Sequence, residues 1–129
     1  TMTLQGGSET ILIGEDNGSV RKLAKEVLEQ FGYRVIEARD GEDAISQFTK
    51  WAKDIDLVIL DVVMPRKNGR EVYETIKTFN PATKVFFMSG YTADILSDKG
   101  MHEEKLDYIA KPISPQELLA KVRSVLDAK

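Results

Sequence analysis

The sequence predicts a single α/β domain: a parallel β-sheet with helices on both faces. Two patterns predict it. From Thr10 onward, short aliphatic runs alternate with amphipathic helical stretches about five times. The middle runs, Leu57-Val58-Ile59-Leu60 and Val85-Phe86-Phe87-Met88, are apolar without alternation, as expected of strands covered on both sides. Parallel neighbours need long crossover connections, and the helical stretches supply them. No low-complexity stretch or second linker interrupts the series, and 129 residues leave no room for two domains.

Thr1 to Glu9 contains Gly6, Gly7 and Ser8, lacks apolar periodicity, and reads as a flexible lead-in to a domain spanning residues 10–127. The first strand is Ile11-Leu12-Ile13. Val20, Leu23, Ala24, Val27, Leu28 and Phe31 then share one face of a helix, and Gly32 supplies its stop. Val35-Ile36 forms the second strand, after which Asp40 can cap a helix burying Ala44, Ile45 and Phe48. Leu57 to Leu60 is the third strand. Asn68 can cap the next helix, which carries Val72, Ile76 and Phe79 and stops before Pro81.

Val85 to Met88 is the fourth strand. A short, loosely held helix is expected over 92–100, anchored only by Ile95 and Leu96. Tyr108-Ile109-Ala110 is the fifth strand. The last helix is the best specified: Ser114 at its cap, Pro115 at its first position and Glu117 three residues after the cap form a capping-box signature. Leu118, Leu119, Val122, Val125 and Leu126 supply its apolar stripe.

Composition narrows the function. Eighteen basic against 21 acidic residues give a net charge of −3, which argues against a dedicated nucleic-acid binder. The absence of cysteine excludes disulfides, thiolate zinc sites and thiol catalysis. No apolar run approaches a membrane span and no signal peptide opens the sequence, so a cytoplasmic setting is expected.

Sheets of this kind place their ligand sites beyond the carboxyl ends of the strands. Those ends are followed here by Glu15-Asp16, Asp61, Ser89-Gly90 and Lys111-Pro112. Polar residues often follow strands simply because loops are wet, but the joint arrangement is specific. Crowded carboxylates repel at a cost of several kcal/mol unless protons or a cation offset it. A hard divalent cation does so with oxygen ligands, and Mg²⁺ often completes its octahedron with phosphate oxygens. An acid cluster holding magnesium beside a lysine is what phosphoryl transfer requires, and Asp61 is the natural nucleophile.

Glu15-Asp16, Asp61 with Met64-Pro65 and Asn68-Gly69, Ser89-Gly90-Tyr91, and Lys111-Pro112 occur in one order and spacing. On these motifs the chain, over Thr10 to Asp127, resembles the CheY-like receiver domain of two-component response regulators. The resemblance implies a flavodoxin-like (βα)5 three-layer sandwich with strand order 2-1-3-4-5. It implies that Asp61 is the phosphoacceptor, charged by a phosphohistidine of a histidine kinase or phosphotransfer domain. Phosphorylation and dephosphorylation would be self-catalysed. Mg²⁺, replaceable by Mn²⁺, would be held by Asp16, Asp61 and the backbone carbonyl of Val63, with Glu15 acting through a bound water.

Lys111 would contact the phosphoryl oxygens, aimed by a cis peptide before Pro112. Ser89 would move to the phosphoryl group and Tyr108 would turn inward, changing the face made by the 92–100 helix, the fifth strand and the last helix. That face is also the expected place for a weak dimer. A phosphoryl group adds a charge of about −1.5 to −2, enough to shift such a two-state element. Ordinary alternatives are a turn hydroxyl for Ser89 and a half-buried strand aromatic for Tyr108.

Val63 and Tyr91 stand two residues past Asp61 and Ser89, where the family tunes water access to the aspartyl phosphate. Gly14 replaces the aliphatic residue that usually closes the first strand, which should loosen packing there. Arg66-Lys67 read as loop cations beside the acids, Trp51 as a packing residue at a helix end, and His102 as an ordinary loop histidine.

Three contexts suit the resemblance: a stand-alone regulator, a receiver attached to a DNA-binding output domain, or the carboxyl-terminal receiver of a hybrid sensor histidine kinase tethered to a membrane sensor. The Gly6-Gly7-Ser8-Glu9-Thr10 lead-in and the Met88-Ser89-Gly90-Tyr91-Thr92 run favour the hybrid kinase. The rivals from other classes are weaker. An aspartate-nucleophile phosphatase of the haloacid dehalogenase type wants a second aspartate where Val63 stands. A flavodoxin-like cofactor binder would meet an acidic first loop that repels phosphate. A degenerate receiver serving only as an interaction surface is disfavoured because each reactive group is present.

Overall fold

The computed structural model describes residues 6–64, 66–89 and 108–128. The expected helix over 92–100, together with Pro65, Gly90, Tyr91 and His102, lies outside the described residues. Five parallel strands, β1 (Thr10–Gly14), β2 (Arg34–Ala38), β3 (Ile55–Asp61), β4 (Lys84–Ser89) and β5 (Tyr108–Ala110), form one sheet in the order β2-β1-β3-β4-β5. Four helices are described: α1 (Gly18–Gln30), α2 (Gly41–Trp51), α3 (Gly69–Phe79) and α4 (Pro115–Asp127). The architecture is flavodoxin-like, as the sequence predicts.

Strand periodicity explains how unbroken apolar runs make two cores. Ile11, Ile13, Leu57, Ile59, Phe86 and Met88 face α1 and α4 on one side. Leu12, Val58, Leu60 and Phe87 point the other way, against α2 and α3. Successive strand side chains alternate in direction, so a strand covered twice must be apolar at every position. The outer strands differ accordingly: β2 is mostly half-exposed and β5 buries only Ile109.

The helix starts follow the cap residues. Asp40 Oδ1 accepts the amide of Asp43 at 2.8 Å, and Asn68 and Glu71 form a reciprocal capping box at α3. Ser114 Oγ accepts the Glu117 amide at 3.4 Å. Asn17, a cap the spacing had not singled out, accepts from Ser19 and Val20 at the start of α1. Gly32, with φ of 97°, turns the chain out of α1 in the left-handed region.

Three packing expectations need correction. Leu23 is 42% exposed and Phe79 is 59% exposed, so the buried stripes of α1 and α3 are narrower than their periodicity suggests. Phe79 is nonetheless held, edge-on to Phe48 at 5.7 Å between ring centroids. Gly14 leaves no gap: a Cβ there would lie 2.9 Å from Leu60 Cδ2, so the Leu60 side chain already fills the place.

Residues 6–9 pack against the domain at the amino edge of the sheet. The Gly7 amide donates to Phe31 O at 3.1 Å, and Glu9 O accepts the amide of Arg34 at 3.0 Å. Arg123 of α4 reaches Gly6 O, both carboxylate oxygens of Glu9 and the hydroxyl of Tyr33.

Candidate functional site

The carboxyl edge of the sheet gathers the predicted groups by register. Gly14 pairs with Leu60, Asp61 with Met88, and Ser89 with Ala110. Glu15, Asp61, Ser89 and Lys111 therefore follow one another along that edge. Backbone bonds carry the ladder one rung further: the amides of Glu15, Val62 and Lys111 donate to Ala38 O, Met88 O and Ser89 O at 3.1, 3.1 and 2.8 Å. The site is thus anchored by backbone hydrogen bonds that continue the sheet.

Carboxylate oxygens of Glu15, Asp16 and Asp61 all lie within 4.8 Å of one another. Glu15 is fully buried and Asp61 is 6% exposed, whereas Asp16 is open to solvent. Lys111, which precedes a cis peptide to Pro112 and is 20% exposed, extends its ammonium to both buried acids. Nζ is 3.2 Å from Asp61 Oδ2 and in close ion-pair contact with Glu15 Oε1. The buried Oε1 of Glu15 has that ammonium as its contact, and Oε2 accepts the Asn17 amide at 3.2 Å.

Electrostatics follow from this crowding. Burial raises the pKa of Glu15, opposed by the Lys111 ammonium and reinforced by the negative charge of Asp61. Asp16 is also raised, by partial desolvation and by neighbouring Glu15. For Lys111, burial would lower the pKa, but the two carboxylates outweigh it and hold the ammonium charged. One ammonium does not neutralise three acids. A small hard cation suits what remains, because the converging donors are all carboxylate oxygens.

The loop after β3 is shaped by close backbone approach. The Gly69 amide donates to Val62 O at 2.9 Å, and a Cβ on Gly69 would lie 2.5 Å from Asp61 O. Only glycine lets α3 start this close to the nucleophile candidate. Val63 is 45% exposed beside it, and its amide points to Asp61 Oδ1 at 3.4 Å.

Ser89 is buried at the end of β4, and Tyr108 is 41% exposed at the start of β5. Trp51 is 40% exposed at the end of α2, under the Lys50 ammonium. Arg66 is an exposed loop cation, 3.4 Å from each of Asp40 and Glu42 at the start of α2. Sequence reasoning missed Arg21, whose Nη1 donates to the backbone carbonyl of Glu15 at 2.7 Å. Its place on the first turn after the acid pair was the available signal. Among the described residues, no helix is long and apolar enough to cross a membrane.

Comparison with known proteins agrees with this geometry. The family model described as the response regulator receiver domain matches residues 11–123. Sensor kinase CckA of Brucella abortus (strain 2308) is 31% identical over 121 residues, covering 94% of this chain and 13% of that protein. Transcriptional regulatory protein CpxR of Escherichia coli (strain K12) is 34% identical over 116 residues, covering 90% of this chain and 48% of that one. The chain therefore spans half or less of these relatives. The structure of a CheX-CheY-BeF3-Mg²⁺ complex from Borrelia burgdorferi superposes with a TM-score of 0.83 at 25% identity, covering 93% of this chain and 90% of that one. The chain belongs to the response regulator receiver domain family.

Proposed function

We propose that this domain accepts a phosphoryl group on Asp61 from a phosphohistidine of a kinase or phosphotransfer partner, and that Mg²⁺ is required. The observation that carries the reading is the convergence of Glu15, Asp16 and Asp61 on one point, with the Lys111 ammonium 3.2 Å from Asp61 Oδ2. An Asp61 carboxylate oxygen attacks phosphorus in line; the P–N bond breaks and the imidazole leaves with the electron pair, taking up a proton. Lys111 is placed to meet the transferred oxygens, and the rigid sheet edge keeps Asp61 oriented. Bound at the acid cluster, Mg²⁺ would neutralise charge on those oxygens. The Mg²⁺ named with the Borrelia complex supports this choice of cation.

Ser89 and Tyr108 form the proposed switch. Ser89 would move to the new phosphoryl group, and half-exposed Tyr108 would turn inward and alter the face around β5 and α4, where a weak dimer could form. Val63 is proposed to slow hydrolysis of the aspartyl phosphate by keeping an apolar group over its approach.

The favoured context is the receiver of a hybrid sensor kinase, supported by the likeness to CckA. The likeness to CpxR supports a second reading, a receiver that controls a transcriptional output domain. Both share the chemistry. Incubation with acetyl phosphate and Mg²⁺ should add one phosphoryl mass, and Asp61→Asn should abolish the addition. Continuous turnover of small phosphate esters, or labelling that survives Asp61→Asn, would overturn the reading.

A further inference from the structure

Resting on the reading that the acid cluster holds Mg²⁺, we propose that Arg21 is a positioning residue of that site, fixing the peptide that joins Glu15 to Asp16. Arg21 lies on the first turn of α1 and its side chain is only 16% exposed. Nη1 donates to Glu15 O at 2.7 Å, while Nε donates to Glu37 Oε1 at 3.2 Å, near the end of β2. Lys25, one turn further along α1, holds the other oxygen of Glu37 at 3.4 Å. The guanidinium is therefore a strut between the edge strand and the acid-bearing loop.

Glu15 is fixed from other sides as well. Its amide donates to Ala38 O at 3.1 Å, and its Oε2 accepts the Asn17 amide at 3.2 Å. The carbonyl that Arg21 holds belongs to the peptide plane leading into Asp16. Tilting that plane moves the Asp16 Cα and changes the direction of its carboxylate, which has no burial to restrain it. Arginine suits the task because its planar fork serves two acceptors at a fixed angle, whereas the ammonium of lysine is a single point. Partners that orient metal ligands typically govern affinity by about 10–100-fold; Arg21 acts one peptide removed, through the backbone that carries Asp16.

Calorimetric titration of the apo domain with MgCl2, paired with urea unfolding, tests the proposal. Arg21→Ala should weaken Mg²⁺ binding by about 10-fold at a temperature where it remains folded. Glu37→Gln, which leaves the guanidinium but loosens its anchor, should weaken binding several-fold. Arg21→Lys should recover only part of the loss. Amide resonances of Glu15 to Asn17 should move in each variant, while those of Val85 to Met88 stay in place.

Wild-type protein that takes up no Mg²⁺ would sink the underlying metal reading instead. If wild type binds and the variants match its affinity, or if Arg21→Lys restores it fully, the positioning role is overturned. Should Arg21→Ala fail to fold, Arg21→Lys and Glu37→Gln carry the same test.

Discussion

Arg123 Nη2 and Glu9 Oε2 meet at 2.8 Å across 114 positions of sequence, and Nη1 lies 3.3 Å from the other oxygen of the same carboxylate. The guanidinium also binds Asp127 one turn along α4. Glu9 is held below the ordinary carboxylate range by its hydrogen bonds to Arg123, as is Asp127. The stability this cluster contributes is therefore complete above the unfolded carboxylate value of about 4.3, and is lost as pH falls through the lower folded values. Arg123→Ala should lower stability at neutral pH, chiefly through the lost Glu9 contact. It should also flatten the decline of stability below about pH 4.3, as followed by urea unfolding across pH.

Gly69→Ala should destabilise by about 1–3 kcal/mol, because its Cβ would strike the backbone of Asp61 and Val62 rather than a flexible side-chain end. The displaced start of α3 should also slow labelling of Asp61 by acetyl phosphate. Equal stability and equal labelling would show that α3 can shift without disturbing the nucleophile.

Glu15→Gln should stabilise the metal-free domain by about 1 kcal/mol, since it removes one charge from a buried, over-acidic cluster. The same change should reduce the rise in melting temperature that Mg²⁺ produces, because ligand stabilisation scales with binding to the folded state. Thermal unfolding in EDTA and in millimolar Mg²⁺ checks both signs.

Val63→Asn should shorten the lifetime of the aspartyl phosphate several-fold. The side chain stands half-exposed two residues beyond Asp61, and an amide there can orient an attacking water that a valine cannot. The decay of phosphorylated protein after removal of acetyl phosphate is the measurement.

Much of this was legible because its signals are local. Apolar runs marked β3 and β4, single residues marked the caps at Asp40, Asn68 and Ser114, and the strand-end rule pointed to Glu15, Asp16, Asp61, Ser89 and Lys111. Periodicity failed at Leu23 and Phe79 because it locates a face but not the edge where a neighbouring element stops covering it. Contacts between distant segments left no mark in either segment. Nothing near Glu9 announces Arg123, and nothing near Arg66 announces Asp40 and Glu42. Arg21 was overlooked for a different reason: it acts through a backbone carbonyl, which looks the same at every residue.

The two charged assemblies stand at opposite margins of the sheet, with the five residues of β1 running between Glu9 and Glu15. Six rises of about 3.3 Å separate them by roughly 20 Å, beyond the ~8 Å screening length at physiological salt. Perturbations at the two margins should therefore sum without cross-talk in a double-mutant cycle of Arg123→Ala with Glu15→Gln. Substitutions that retune the acid-sensitive clamp at Glu9 and Arg123 should therefore leave the chemistry at Asp61 as it was.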